Sequence, residues 1–132
     1  MVILLIESDL DVQFFVWKAL REDGFTVLNA DSGESALELC RSHSGPVDLV
    51  LTAMDLPRIN GLDLYRTITL NWPEAKGIVM SRQQDAGQQI AQMGLRFLPK
   101  PFDAATLRRV VGLNVGLMAR RSAAWRDLPH SL

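Results

Sequence analysis

One stretch of the chain limits its fold more than any other. In Val47-Asp48-Leu49-Val50-Leu51-Thr52-Ala53-Met54-Asp55-Leu56-Pro57-Arg58-Ile59-Asn60-Gly61, an apolar run stops abruptly in a short polar loop, and Asn60-Gly61 then opens a second periodic segment. That order predicts a buried strand, a turn and a helix. The unit recurs: strands are predicted near Val2–Ile6, Thr26–Asn29, Leu49–Thr52, Ile78–Met80 and Arg96–Leu98. Between them the periodicity predicts helices near Leu10–Glu22, Gly33–Ser42, Gly61–Asn71 and Ala86–Gln92, with a last one from about Ala104 to Met118. Short apolar strands that alternate with helices imply a parallel sheet covered on both faces.

In the first helix, Val12, Phe15, Val16, Ala19 and Leu20 fall at helical spacing and are expected to form a core stripe, which Asp23-Gly24 ends. Four strands finish on polar or loop positions at one edge, so Glu7, Ala53, Ser81 and Lys100 are expected to converge where the strand order reverses. At 132 residues and 48% hydrophobic content the chain suits one domain. Lys and Arg total 14 against 15 Asp and Glu, a net charge of -1 that sets up no field for nucleic acid or an anionic membrane. The single cysteine, Cys40, excludes an internal disulfide and reads as a small buried helix thiol. No basic leader or membrane-length apolar run is visible, so a cytoplasmic protein is expected.

Leu56-Pro57 followed by Gly61, together with Lys100-Pro101-Phe102, gives the resemblance: from about Val2 to about Met118 the chain resembles the receiver domains of bacterial response regulators in two-component phosphorelay systems. The resemblance implies a flavodoxin-like, CheY-like three-layer α/β/α sandwich with a five-stranded parallel sheet in the order 2-1-3-4-5. It also implies a receiver domain over 1–118 and a tail or linker over 119–132. In the family, an acidic pair after the first strand holds Mg²⁺, an aspartate after the third accepts a phosphoryl group from a histidine kinase, and a hydroxyl and a lysine contact its oxygens.

Carried onto this chain, Glu7 matches the first acid, but Ser8 stands in place of the second, and Asp9 lies one residue too far along, where it could cap the next helix. Four residues before Pro57, the acceptor position holds Ala53, whose methyl group cannot take a phosphoryl group. Asp55 matches the residue whose backbone carbonyl serves as a metal ligand. Ser81 matches the switch hydroxyl, Phe97 the switch aromatic and Lys100 the phosphate-contacting lysine, with Lys100-Pro101 expected to be cis. The Mg²⁺ site at Glu7, Ser8 and Asp55 is therefore expected to be weak or lost, no other cofactor is implied, and Lys100 is expected to pair with Glu7 or Asp9.

The resulting expectation is a pseudo-receiver, not an enzyme, that works through phosphorylation-independent contacts with a histidine kinase or another signalling protein. The alternative is an active phospho-acceptor switch in which Ala53 replaces an aspartate. Ser8 favours natural degeneracy, because a single designed change would not also remove the metal acid. A glycine-rich phosphate loop is missing from Glu7-Ser8-Asp9-Leu10, which argues against a nucleotide-binding enzyme. Phe14 and Trp17, one turn apart and off the core stripe, mark an expected docking patch or else pack against a neighbouring helix or the C-terminal tail. Leu113 and Leu117, with Gly112 and Gly116 beside them, fit the homodimer through the fourth and fifth helices that the resemblance implies, or else belong to a wide core stripe with some exposed leucine.

Overall fold

In the computed structural model, the backbone is described for residues 1–123 and the side chains for residues 1–115. Strands β1 (Val2–Ile6), β2 (Thr26–Ala30), β3 (Leu49–Ala53), β4 (Lys76–Ser81) and β5 (Arg96–Pro99) alternate with helices α1 (Leu10–Glu22), α2 (Gly33–Ser42), α3 (Gly61–Ile68), α4 (Ala86–Gln92) and α5 (Ala104–Ala123). All four strand pairings are parallel, and the order is β2-β1-β3-β4-β5. Every residue of β3 is buried, as a central strand covered on both faces requires.

The two sides of the sheet have separate cores. Ile3, Leu5, Leu51, Ile78 and Leu98 meet Val16 and Leu20 of α1 and Leu107 and Val111 of α5. On the other side Leu4, Ile6 and Val50 meet Ala36 of α2 and Leu64 and Ile68 of α3. Beside that second core, Val79 packs with Leu62, Ile90 and Leu95. Because side chains alternate between faces along a strand, each run feeds both cores.

Three elements depart from the periodicity. Phe15 is not core: it is 42% exposed and leans on Phe102, with ring centroids 6.2 Å apart. It lies at the margin of the stripe that Val16, Ala19 and Leu20 define, so the sheet does not reach it. Helix α3 stops at Ile68, three residues early, as Leu70 and Asn71 donate to Thr67 and Ile68 in tightened turns ahead of Pro73. Helix α5 runs on to Ala123, beyond Met118. Cys40 is half-buried, and desolvation raises its thiol pKa.

Local chemistry fixes the ends of the helices that flank the site. Asp9 caps α1, its carboxylate accepting from the Asp11 and Val12 amides at 3.0 and 3.3 Å. Asn60 caps α3 in the same way, accepting from Leu62 N–H at 2.7 Å. At Gly61 a Cβ would fall onto the Ala53 carbonyl oxygen, so only glycine lets α3 start against the end of β3.

Candidate functional site at the carboxyl edge of the sheet

Backbone hydrogen bonds continue one step past the strands and tie their ends together. Glu7 N–H donates to Ala30 O at 3.0 Å, Met54 N–H to Met80 O at 2.8 Å and Lys100 N–H to Ser81 O at 2.8 Å. The residues on these ends are thereby held in one row along the edge. Ala53 is 1% exposed and belongs to the core between the sheet and the α1–α5 layer. Its methyl group completes that core and offers the edge no polar atom.

The centre of the edge is an ion pair. Glu7 is 1% exposed, and its Oε1 lies 2.5 Å from Lys100 Nζ. The contact is one of charge, since Oε1 makes no aligned hydrogen bond. The other oxygen, Oε2, accepts from Asp9 N–H at 3.1 Å. Asp9 itself is turned to its helix-capping role. Removing two charges from water is costly, and only their mutual contact offsets the cost, so Glu7 and Lys100 depend on each other.

Ser81 is buried at the end of β4, and its Oγ accepts from Gln83 N–H at 3.0 Å. Phe97 is half-buried on β5 and packs against α4, where a Cβ added at Gly87 would come within 3.1 Å of its ring. The Lys100-Pro101 bond is cis. Asp55 is exposed, pairs in an isolated antiparallel bridge with Asn60, and accepts from Gln83 Nε2 at 3.1 Å. Its carboxylate is thus engaged on the outer side of the edge.

The donor set does not fit a Mg²⁺ ion. Both Glu7 oxygens are engaged, Ser8 supplies only a neutral hydroxyl, and the Asp55 carboxylate is held by Gln83. Among the described residues no three His, Cys, Asp or Glu side chains group in a way that could hold a metal. A hard cation that keeps several waters needs converging carboxylates, whereas here Glu7 is neutralised by Lys100 and the Asp9 and Asp55 carboxylates are engaged elsewhere.

Two glutamines of the site carry no signal in the sequence pattern. Gln13 reaches back from α1, its Nε2 donating to both Glu7 O and Ala30 O at 3.1 Å. Gln83 links Ser81 to Asp55 through its backbone and side chain respectively. Next to the ion pair a cleft of about 240 Å³ has walls of Val12, Phe15, Pro101 and Phe102, with Arg82 and Lys100 among its polar lining.

On the outer face of α1, Phe14 is 60% exposed. Trp17 is half-buried: it packs against the α1–α5 core, stands 5.8 Å from the Phe14 ring and carries the Arg21 guanidinium 5.1 Å above it. Leu113 is exposed on α5, and nothing lies within 4 Å of the Cβ position at Gly112. The surroundings of Gly116, the side chains of Leu117, Met118, Arg120 and Arg121, and the whole of residues 124–132 lie outside the described residues. Among the described residues no helix is long and apolar enough to cross a membrane.

Known proteins place this architecture. The chain is 33% identical over 112 residues to the sensor kinase CckA of Brucella abortus, covering 83% of this chain and 12% of that protein. It is 39% identical over 74 residues to the response regulator receiver protein CpdR of the same organism, covering 56% of this chain and 60% of that one. The chain thus spans less than two thirds of these relatives. Among solved structures, the receiver domain of the hybrid histidine kinase CckA superposes with a TM-score of 0.75 at 29% identity, over 87% of this chain and 99% of that one. The non-phosphorylated HemR receiver domain of Leptospira biflexa gives 0.70 at 27%, over 83% and 93%. The sequence profile of the response regulator receiver domain matches residues 3–112, and the chain belongs to that family of two-component signalling domains.

Proposed function

We propose that this receiver acts without phosphorylation, as a pseudo-receiver that signals through protein contacts. The single observation that carries the reading is the Glu7–Lys100 pair beside Ala53: the site holds one buried carboxylate, balanced by one lysine, with a methyl group at the acceptor position. Phosphoryl transfer needs an acceptor oxygen and offsetting positive charge around it. Here the lysine is already spent on Glu7. The domain is accordingly a signalling module and not an enzyme, with residues 1–118 as receiver and 119–132 as tail, and it works in the cytoplasm. Mg²⁺ is not required.

The contact surface is the outer face of α1, where Phe14 and Trp17 form one aromatic cluster, and the partner is a histidine kinase or another signalling protein. A homodimer through α4 and α5 would rest on Leu113 and the open space at Gly112. The outward face of α4, by contrast, is polar, with Gln88, Gln89 and Gln92 exposed. No nucleic-acid contact is proposed.

Intact-mass analysis after incubation with a small phosphodonor and Mg²⁺ tests the reading. The expected result is no phosphoryl adduct; an adduct would overturn it and direct attention to Asp55. For the surface, Phe14→Ser is expected to abolish partner binding while shifting stability by less than about 0.5 kcal/mol. Trp17 is the poorer probe, because its inner edge packs against the core.

A further inference from the structure

The outer face of α1 is charged and apolar in a pattern that fits itself. Leu10, Phe14 and Trp17 follow one another at i, i+4 and i+7 on the solvent side, and Leu10, Phe14 and Phe15 are three of the six large hydrophobic residues exposed in the described part of the chain. At about 100° per residue, Leu10, Phe14, Trp17 and Arg21 form a stripe on the solvent side of the helix, with the inner edge of Trp17 turned toward the core residues Val16 and Leu20. Along one margin of it stand Asp11 and Lys18, seven residues and hence about 10.5 Å apart, with opposite charges. Both are exposed, and among the described residues neither carries an ion pair. The next acids on the helix, Glu22 and Asp23, are already held by Arg108 at 3.3 and 3.2 Å.

We infer that α1 packs antiparallel against α1 of a second copy of this chain, about a two-fold axis that crosses the helix between positions 14 and 15. The inference rests on the proposed role of this face as a contact surface, which a second copy would share with the signalling partner. A two-fold axis set across both helices reverses their direction and keeps each margin facing its own copy, so the patch must be self-complementary. With the axis at that level, Asp11 of one copy stands opposite Lys18 of the other, and the pair forms twice. Trp17 then falls opposite position 12, midway between Leu10 and Phe14 of the second copy, a knob facing a gap between two apolar side chains. Phe14 lies next to the axis and meets its own counterpart. The same register therefore satisfies both the charges and the aromatic stripe, and no other axis position pairs Asp11 with Lys18. The stripe is short beside a standard interface of about 800 Å² per partner, so the dimer belongs to the weak class and should form between about 10 µM and 1 mM.

Sedimentation equilibrium of the full chain over that range, at low salt, tests it. The expected result is a mass rising from monomer to dimer, weakened at least tenfold by Phe14→Ser, by Asp11→Lys alone and by Lys18→Asp alone. The double reversal Asp11→Lys with Lys18→Asp should restore the dimer, because it exchanges the charges without changing the register. Far-UV circular dichroism and the thermal midpoint confirm that each variant is folded. A monomer at every concentration overturns the inference, as does a dimer indifferent to Phe14→Ser, which would lie on another face. Failure of the double reversal to restore association overturns the register. If the chain stays monomeric while Phe14→Ser still abolishes partner binding, self-association alone is wrong and the contact surface stands.

Discussion

The two halves of the carboxyl edge differ in their chemistry. On the side of β1 and β3, where receivers collect carboxylates, the chain has Glu7, a neutral Ser8 and the methyl group of Ala53. On the side of β4 and β5, the hydroxyl of Ser81, the aromatic Phe97, Lys100 and the cis Lys100-Pro101 bond are all in place. The retained half has found structural partners: Ser81 accepts from Gln83, Lys100 meets Glu7, and the Lys100 amide ties β5 to β4. These contacts fasten β4 and β5 to the rest of the edge. Under the proposed phosphorylation-independent reading, further acids beside Glu7 would only repel it, and Ser8 and Ala53 add none.

The largest effect should come from separating the two halves at their one direct link. Lys100→Met leaves the Glu7 carboxylate buried and unpaired, and should cost about 3–5 kcal/mol in urea denaturation. Glu7→Gln combined with Lys100→Met should recover most of that loss, since the buried charge and its partner leave together. A small loss for Lys100→Met alone would mean that Glu7 has other compensation and that the halves are independent.

A smaller effect is expected from refilling the depleted half. Ala53→Asp places a second carboxylate at a buried position beside Glu7, and in chelator it should destabilise the fold by about 1–3 kcal/mol. Millimolar Mg²⁺ should recover the loss only when Ser8→Asp is added, because one new acid still lacks the neighbour a hydrated cation needs. Recovery by Mg²⁺ in the single variant, followed by thermal melting with and without chelator, would show that Glu7 can leave Lys100 for the metal. The depleted half would then lack only its acceptor.

The sequence shows the fold plainly because its signals are redundant. Leu49, Val50, Leu51 and Thr52, a short apolar run bounded by turn signals, form a strand buried on both faces, and the Pro57-to-Gly61 spacing places Ala53 at its end. Ser8 and Ala53 are equally legible, since a missing carboxylate is visible at a fixed position. Hidden from the sequence are the long-range choices of flexible side chains. Whether Glu7 pairs with Lys100 or Lys100 with Asp9 depends on the capping competition that Asp9 resolves in favour of α1. The bonds from Gln83 and Gln13 have no periodic signature. Phe15 and Trp17 show the limit of helical periodicity: it orders residues around a helix, but how far the neighbouring layer reaches decides that Phe15 stays exposed and Trp17 is half-buried.

The smallest effect should come from the retained hydroxyl, and it separates fastening from chemistry. Ser81→Ala removes the acceptor of the Gln83 amide in a buried spot and should cost about 0.5–1.5 kcal/mol in the unaltered chain. Ser81→Thr keeps an oxygen there and should cost less. In the background carrying Ser8→Asp and Ala53→Asp, the same Ser81→Ala change gains a second readout, the lifetime of any phosphoryl adduct followed by intact mass. If Ser81 is only a fastener, the lifetime should match that of the Ser81 parent. A lifetime altered severalfold would mean that the β4–β5 half has kept its phosphate geometry intact while the β1–β3 half lost its acids.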